Sequence, residues 1–122
     1  MTPEPDRQAQ LLRGALDMCL LTLLSEQPTH AYDLVVRFEE RGLSGVGYGT
    51  IYPLVGRMRR LGLLDESAQP SPSGPARKVF SVSQAGQAAL SSWVQQWLST
   101  TSAVSGLLTA AGVVPDQLKE RA

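Results

Sequence analysis

Arg57, Arg59 and Arg60 crowd one short stretch of this 122-residue chain, and Arg77 and Lys78 follow beyond a proline-rich run. Guanidinium and ammonium groups gathered this way suit an anion, above all a phosphate, which arginine meets with a planar two-pronged fork. The cluster is local. Lys+Arg and Asp+Glu both number 11, for zero net charge at pH 7, so the chain is no bulk polycation. Any nucleic-acid signal must come from where the charges sit. Between Tyr48 and Phe80 the cations meet only Asp65 and Glu66, whereas Glu4, Asp6, Asp17, Glu26, Asp33, Glu39 and Glu40 place acidity mainly in the first third.

Other chemistries find little support. The chain has one histidine, His30, one cysteine, Cys19, and no clustered carboxylates, which leaves no triad, metal set or phosphate loop. No enzyme activity, metal or cofactor is expected. His30 at a helix start reads as a cap or surface residue, and Cys19 in an apolar helix as inert packing. A lone cysteine excludes an internal disulfide and fits a reducing compartment. Nothing reads as a signal peptide or membrane span, so the expected location is cytoplasmic.

The element that must carry the arginines is Tyr48 to Leu61, YGTIYPLVGRMRRL. Stepping about 100° per residue, Ile51, Leu54, Val55, Met58 and Leu61 fall on a core-facing stripe. The opposite side carries Gly49, Pro53, Gly56 and Arg60, with Tyr52 and Arg59 on one edge and Thr50 and Arg57 on the other. Small residues there would allow close approach. Thr50 is read as the N-cap and Pro53 as lying in the first turn, so the positive end of the helix sits beside Tyr48, Thr50 and Tyr52, available to a phosphate. A solvated amphipathic surface helix is the plain alternative.

Residues 1–9 read as a flexible arm, and Gln10 to about Glu26 as one helix. Its second half is apolar almost all round, which suggests burial on two sides, with Met18 and Leu21 against a second copy of the chain. Full enclosure in its own domain is the alternative. A second helix is expected from His30 to Arg41, with Ala31, Leu34, Val35 and Phe38 inward and Gly42 past its end. Helix, turn and basic amphipathic helix make a helix-turn-helix. Leu63 to Ala68 and Lys78 to Val82 then read as strands, joined by a hairpin tip at 69–76 that Pro70, Pro72 and Pro75 keep out of the sheet. This is a wing, with Arg77 and Lys78 where the tip rejoins it. Ser83 caps a last helix to about Thr100, whose stripe of Leu90, Trp93, Val94, Trp97 and Leu98 is assigned to dimerisation, core packing being the alternative. Residues 101–122 read as a weakly structured tail. The fold class is therefore mainly α with a small β-hairpin. It consists of a winged helix-turn-helix over 10–82 and a long C-terminal dimerisation helix over 83–100.

Several strings resemble the PadR family of bacterial transcriptional regulators, in the branch with a single C-terminal helix. They are LLRGALDMCLLTLL, His30-Ala31-Tyr32, Gly49-Thr50-Ile51-Tyr52-Pro53-Leu54, Leu61-Gly62-Leu63-Leu64, and Arg77 through Gly86. The resemblance implies a homodimeric repressor on double-stranded DNA, an inverted-repeat operator and dimerisation through the first and last helices. It also implies a small aromatic or hydrophobic effector in some members, for which Trp93 and Trp97 hold the matching positions without a motif. Ala31 stands where the family usually has glycine, Phe80 where it has tyrosine, and Arg59 and Arg60 where it is commonly acidic. Tyr52 and Arg57 are placed at or near base edges, and Arg60, Arg77 and Lys78 on phosphates. Arg59 is read equally as a surface ion-pair former. The rival to DNA binding is a winged helix turned to a protein partner.

Overall fold

The computed structural model describes residues 5–113, which fall into two units dividing after Leu90. The first unit holds helices α1 (Pro5–Arg13), α2 (Leu16–Glu26), α3 (Ala31–Glu40) and α4 (Tyr48–Arg60), then strands β1 (Leu64–Ser71) and β2 (Gly74–Val82). Helix α5 (Gln84–Ala110) starts in it and continues into the second unit. The architecture is mainly helical with one antiparallel hairpin, a winged helix-turn-helix followed by a long helix.

The core is made by residues whose spacing puts them on one face of each element. Leu20, Leu21, Leu23 and Leu24 of α2 are buried together with Ala31, Leu34 and Phe38 of α3, Ile51, Val55 and Met58 of α4, and Leu64 and Phe80 of the hairpin. A fully buried aliphatic or aromatic side chain contributes about 1.5–3 kcal/mol, so these positions hold α4 in place. His30 caps α3: its Nδ1 accepts the Asp33 N–H at 3.3 Å. The α2–α3 turn is tied to the hairpin by a short bridge, in which the Phe80 N–H donates to the Thr29 carbonyl at 2.8 Å and the Thr29 N–H to the Phe80 carbonyl at 3.2 Å.

A single hydroxyl joins the end of α4 to the start of α5. Ser83 Oγ donates to the Gly62 carbonyl at 2.6 Å and accepts the Gly86 N–H at 3.0 Å. Gly62, at φ +78°, turns the chain out of α4 while Gly62 N–H and Leu63 N–H return to the carbonyls of Arg59 and Met58, each at 3.0 Å. Gly86 is needed for a different reason: a Cβ there would collide with the Leu63 carbonyl.

Several boundaries differ from expectation. The single helix expected over Gln10–Glu26 is two helices. It is interrupted at Gly14 and Ala15, where the Ala15 N–H bonds to the Leu12 carbonyl at 2.9 Å. Glycine is a poor helix former, and buried Ala15 anchors the break. Helix α1 also occupies part of the expected arm, of which residues 1–4 lie outside the described region. Leu21 is fully buried in the single chain, as are Leu20 and Leu24, so the enclosed alternative applies to it and it offers no surface to a second copy. Met18 and Cys19 are half-buried.

The cap of α4 is Gly47, with no side-chain capping bond; Thr50 is helical, and Pro53 lies inside the helix. Leu61, expected on the core stripe, is 63% exposed because the helix ends at Arg60 and the chain has already begun to turn. The strands run into the proline-rich stretch, leaving Pro72 and Ser73 as the turn. Pro70 falls at the register shift between Gln69 and Ser71, and a two-stranded hairpin has free edges at which a missing N–H costs little. Helix α5 passes Thr100 and reaches Ala110. Extending a helix needs no new nucleus, and Thr101 Oγ1 donates back to the Trp97 carbonyl at 2.7 Å. Residues 114–122 of the expected tail lie outside the described region.

Candidate nucleic-acid interface

Helix α4 turns Ile51, Val55 and Met58 into the core, so its other face is delivered to the surface. Tyr48, Thr50, Tyr52, Pro53, Arg57 and Arg60 are all exposed there, as are Arg77 and Lys78 on β2. Tyr48 and Tyr52, one turn apart, stack with ring centroids 5.3 Å apart, and Tyr32 from α3 lies 6.3 Å from Tyr48. All three rings are largely exposed. An exposed aromatic cluster with phenolic hydroxyls at its rim can donate hydrogen bonds while presenting apolar surface.

The Thr29–Phe80 bridge draws the base of the hairpin to the start of α3, and this sets the position of the wing cations. Arg77 Nη1 lies 3.2 Å from His30 Nε2. Neutral imidazole has one acceptor nitrogen, so His30 can fully accept from Asp33 N–H or from Arg77, not from both. His30, Tyr32, Tyr48, Tyr52, Arg77 and Lys78 line one open depression of ≈ 400 Å³. Two sequence-distant basic groups and the aromatic cluster are thus brought together on one flank of α4. On the other flank Thr50, Pro53, Arg57 and Arg60 line a second depression with Arg13.

Ion pairing sorts the arginines. Arg41 pairs with Glu26 at 2.8 Å, Arg37 reaches the same carboxylate at 4.0 Å, and Arg59 pairs with Glu66 at 3.5 Å. Among the described residues Arg13, Arg57, Arg60, Arg77 and Lys78 have no carboxylate at ion-pairing distance. Arg59 therefore takes the ion-pair role considered for it, whereas Arg57, Arg60, Arg77 and Lys78 beside α4 have no such pair among the described residues.

Tyr32, His30 and Arg13 join this surface although the helical pattern did not place them there. Tyr32 and His30 stood in the His30-Ala31-Tyr32 string, but only the packing of α3 on α4 reveals their nearness to Tyr48. Cys19 lies apart from these groups; burial and the nearby Asp17 carboxylate push its thiol up, which disfavours the thiolate. No described helix is long and apolar enough to cross a membrane, and no metal-ligating cluster occurs among the described residues.

In helix α5, Trp97, Leu98, Val104, Leu107 and Leu108 are exposed, while Leu90, Trp93 and Val94 are half-buried.

Comparison with known proteins gives a consistent result. The model of the transcriptional regulator PadR-like family matches residues 20–92. A PadR-like transcriptional regulator from Bacillus cereus is 31% identical with a TM-score of 0.74, the match covering 81% of this chain and 96% of that one. A Streptococcus transcriptional regulator is 35% identical at a TM-score of 0.72, with 80% and 96% covered. A PadR family regulator from Eggerthella lenta is 30% identical at a TM-score of 0.76, with 82% and 87% covered. No curated protein matches the chain. With the family pattern spanning α2 to the first part of α5 and the fold shared over four fifths of the chain, this protein belongs to the PadR-like family of transcriptional regulators.

Proposed function

We propose that this chain is a sequence-specific DNA-binding repressor that acts as a homodimer on an inverted-repeat operator. The observation that carries the reading is the outward face of α4, where Tyr48, Tyr52, Arg57 and Arg60 are exposed and the two arginines have no carboxylate partner among the described residues. In this reading α4 lies in the major groove. Tyr52 and Arg57 sit at or near base edges, Tyr48, Thr50 and Pro53 allow close approach at the helix start, and Arg60, Arg77 and Lys78 neutralise phosphates. The exposed apolar residues of α5 support pairing with a second copy, and half-buried Trp93 and exposed Trp97 are the positions that would meet a flat aromatic effector. Two recognition helices in successive major grooves would stand about 34–36 Å apart. An effector acts only if it binds the DNA-competent and incompetent dimers unequally.

The test is fluorescence anisotropy on a duplex from directly upstream of the protein's own gene, with excess nonspecific competitor and several salt concentrations. Binding that survives competitor and weakens steeply with salt is the expected outcome. Replacing Arg77 and Lys78 with alanine should lower the salt slope by about two. Specific capture of a protein partner, with no DNA retained, would overturn the reading in favour of an interaction module. Quenching of tryptophan fluorescence by a planar aromatic compound would identify a ligand sensor.

A further inference from the structure

We propose that the depression on the flank of α4 away from the wing is a second phosphate-binding site, organised by Arg13 and directed at the opposite DNA strand; this rests on the DNA-binding reading above. Its two walls come from elements far apart in sequence. The break between α1 and α2 supplies Arg13, Leu16 and Asp17, and α4 supplies Thr50, Pro53, Leu54, Arg57 and Arg60. The depression is open and holds ≈ 410 Å³, close to the ≈ 400 Å³ of the wing-side depression. α4 therefore runs between two basic hollows of similar size.

The charge balance favours an anion. Arg13, Arg57 and Arg60 line the depression with one carboxylate, Asp17, whose Oδ1 already accepts the Met18 N–H at 2.7 Å. Among the described residues none of the three arginines has an ion-pair partner, while Arg37, Arg41 and Arg59 are committed to glutamates. Arg13 ends α1, and the buried Ala15 pins the chain just beyond it, so its backbone is fixed although its side chain is exposed. Leu16 and Leu54 add apolar contact, and the small Thr50 and Pro53 leave room for a backbone to come close.

The partner follows from groove geometry. A major groove about 12 Å wide has a phosphate strand on each side, so a helix lying in it meets both. The wing, with Arg77 and Lys78, serves one strand. Arg13 serves the other, while Arg60, which lines depressions on both flanks of α4, can reach either. A grip on both strands fixes the depth and rotation of α4, and phosphate contacts of this kind set register without reading sequence.

Phosphate-ethylation interference on the operator-bound wild-type protein tests the site without any substitution. Interference on both strands flanking each half-site is expected. Interference confined to the wing-side strand would overturn the inference while leaving DNA binding itself intact. Arg13→Gln should then remove interference at one far-strand phosphate, leave the wing-side strand unchanged and lower the salt slope by about 0.9, with the specific-to-nonspecific ratio unchanged; Arg13→Lys should retain the slope. Replacing Arg77 and Lys78 together with alanine should instead remove interference on the wing-side strand. An Arg13→Gln slope equal to wild type would sink the proposal. A wild-type protein that shows no salt-dependent DNA binding would sink the underlying reading, and this proposal with it.

Discussion

Helices α4 and α5 make opposite demands on their surroundings. α4 places Arg57, Arg59 and Arg60 among its 13 residues and buries Ile51, Val55 and Met58 within the chain. α5 is 27 residues long, has no charged side chain from Gln84 to Ala110, and buries only Gly86. Its Leu107 is 70% exposed and its Trp97 43%. Apolar area left in water forgoes about 25 cal/mol per Å². The apolar face of α4 is thus satisfied internally, and what remains outside is charge suited to an anion. α5 is unsatisfied in the single chain, and what remains outside is suited to another apolar surface. One helix presents charge to its surroundings, the other presents apolar surface.

The contrast is broken most directly by truncating one residue on each helix. Ile51→Ala should destabilise the protein by about 2–5 kcal/mol in urea unfolding, at any protein concentration. Leu107→Ala should cost no more than about 0.5 kcal/mol in the dilute single chain and more as concentration rises, because a second copy covering it contributes by mass action. A concentration-independent loss for Leu107→Ala would mean that it packs within its own chain and that the two helices are not opposites.

Arg57→Ala sharpens the anionic side. It should remove about 1–3 kcal/mol of discrimination between the operator and a one-base variant, as read by competition binding. Equal losses on both duplexes would move Arg57 from base edges to phosphates. Arg59→Ala is the internal control: its pair with Glu66 is exposed, so stability should fall by only about 0.2–1 kcal/mol, with little change in the salt slope of DNA binding. A slope reduced as much as for Arg60→Ala would show that the pair opens on DNA.

The smallest expected effect concerns Cys19. Burial first, and the Asp17 charge second, raise its thiol above the ordinary value. A raised folded value adds stability below the unfolded value, and that contribution is lost as pH rises through the folded value. Alkylation by iodoacetamide at pH 8 should therefore be slower in the folded protein than in urea. Equal rates would mean that this part of α2 opens freely.

Much of the fold is legible in local pattern. The inward face of α4, the His30 and Ser83 caps, the turn at Gly62 and the strands on either side of a proline-rich tip all follow from residue type at fixed spacing. Pattern failed where a local rule met a boundary. Leu61 satisfies the angular count for the core stripe but lies past the last helical residue. Thr50 is a good cap residue, yet the helix had already begun at Tyr48. The proline rule excluded strand from a segment whose prolines fall at a register shift and a free edge. The α1–α2 break and the length of α5 were missed because helix propagation and interruption depend on neighbours as well as on local composition.

By itself, then, the sequence determined which residues are basic, which helix carries them outward and which apolar stripe holds that helix in place, because periodicity maps directly onto faces. Tertiary structure decided the rest. It placed His30 and Tyr32 beside Arg77, through the Thr29–Phe80 bridge and the packing of α3 on α4. It set Arg13 across from Arg57 and Arg60, and it enclosed Leu21 where an all-round apolar helix left two readings open. These are meetings between residues remote in the chain, and only the packed core brings them within reach of one another.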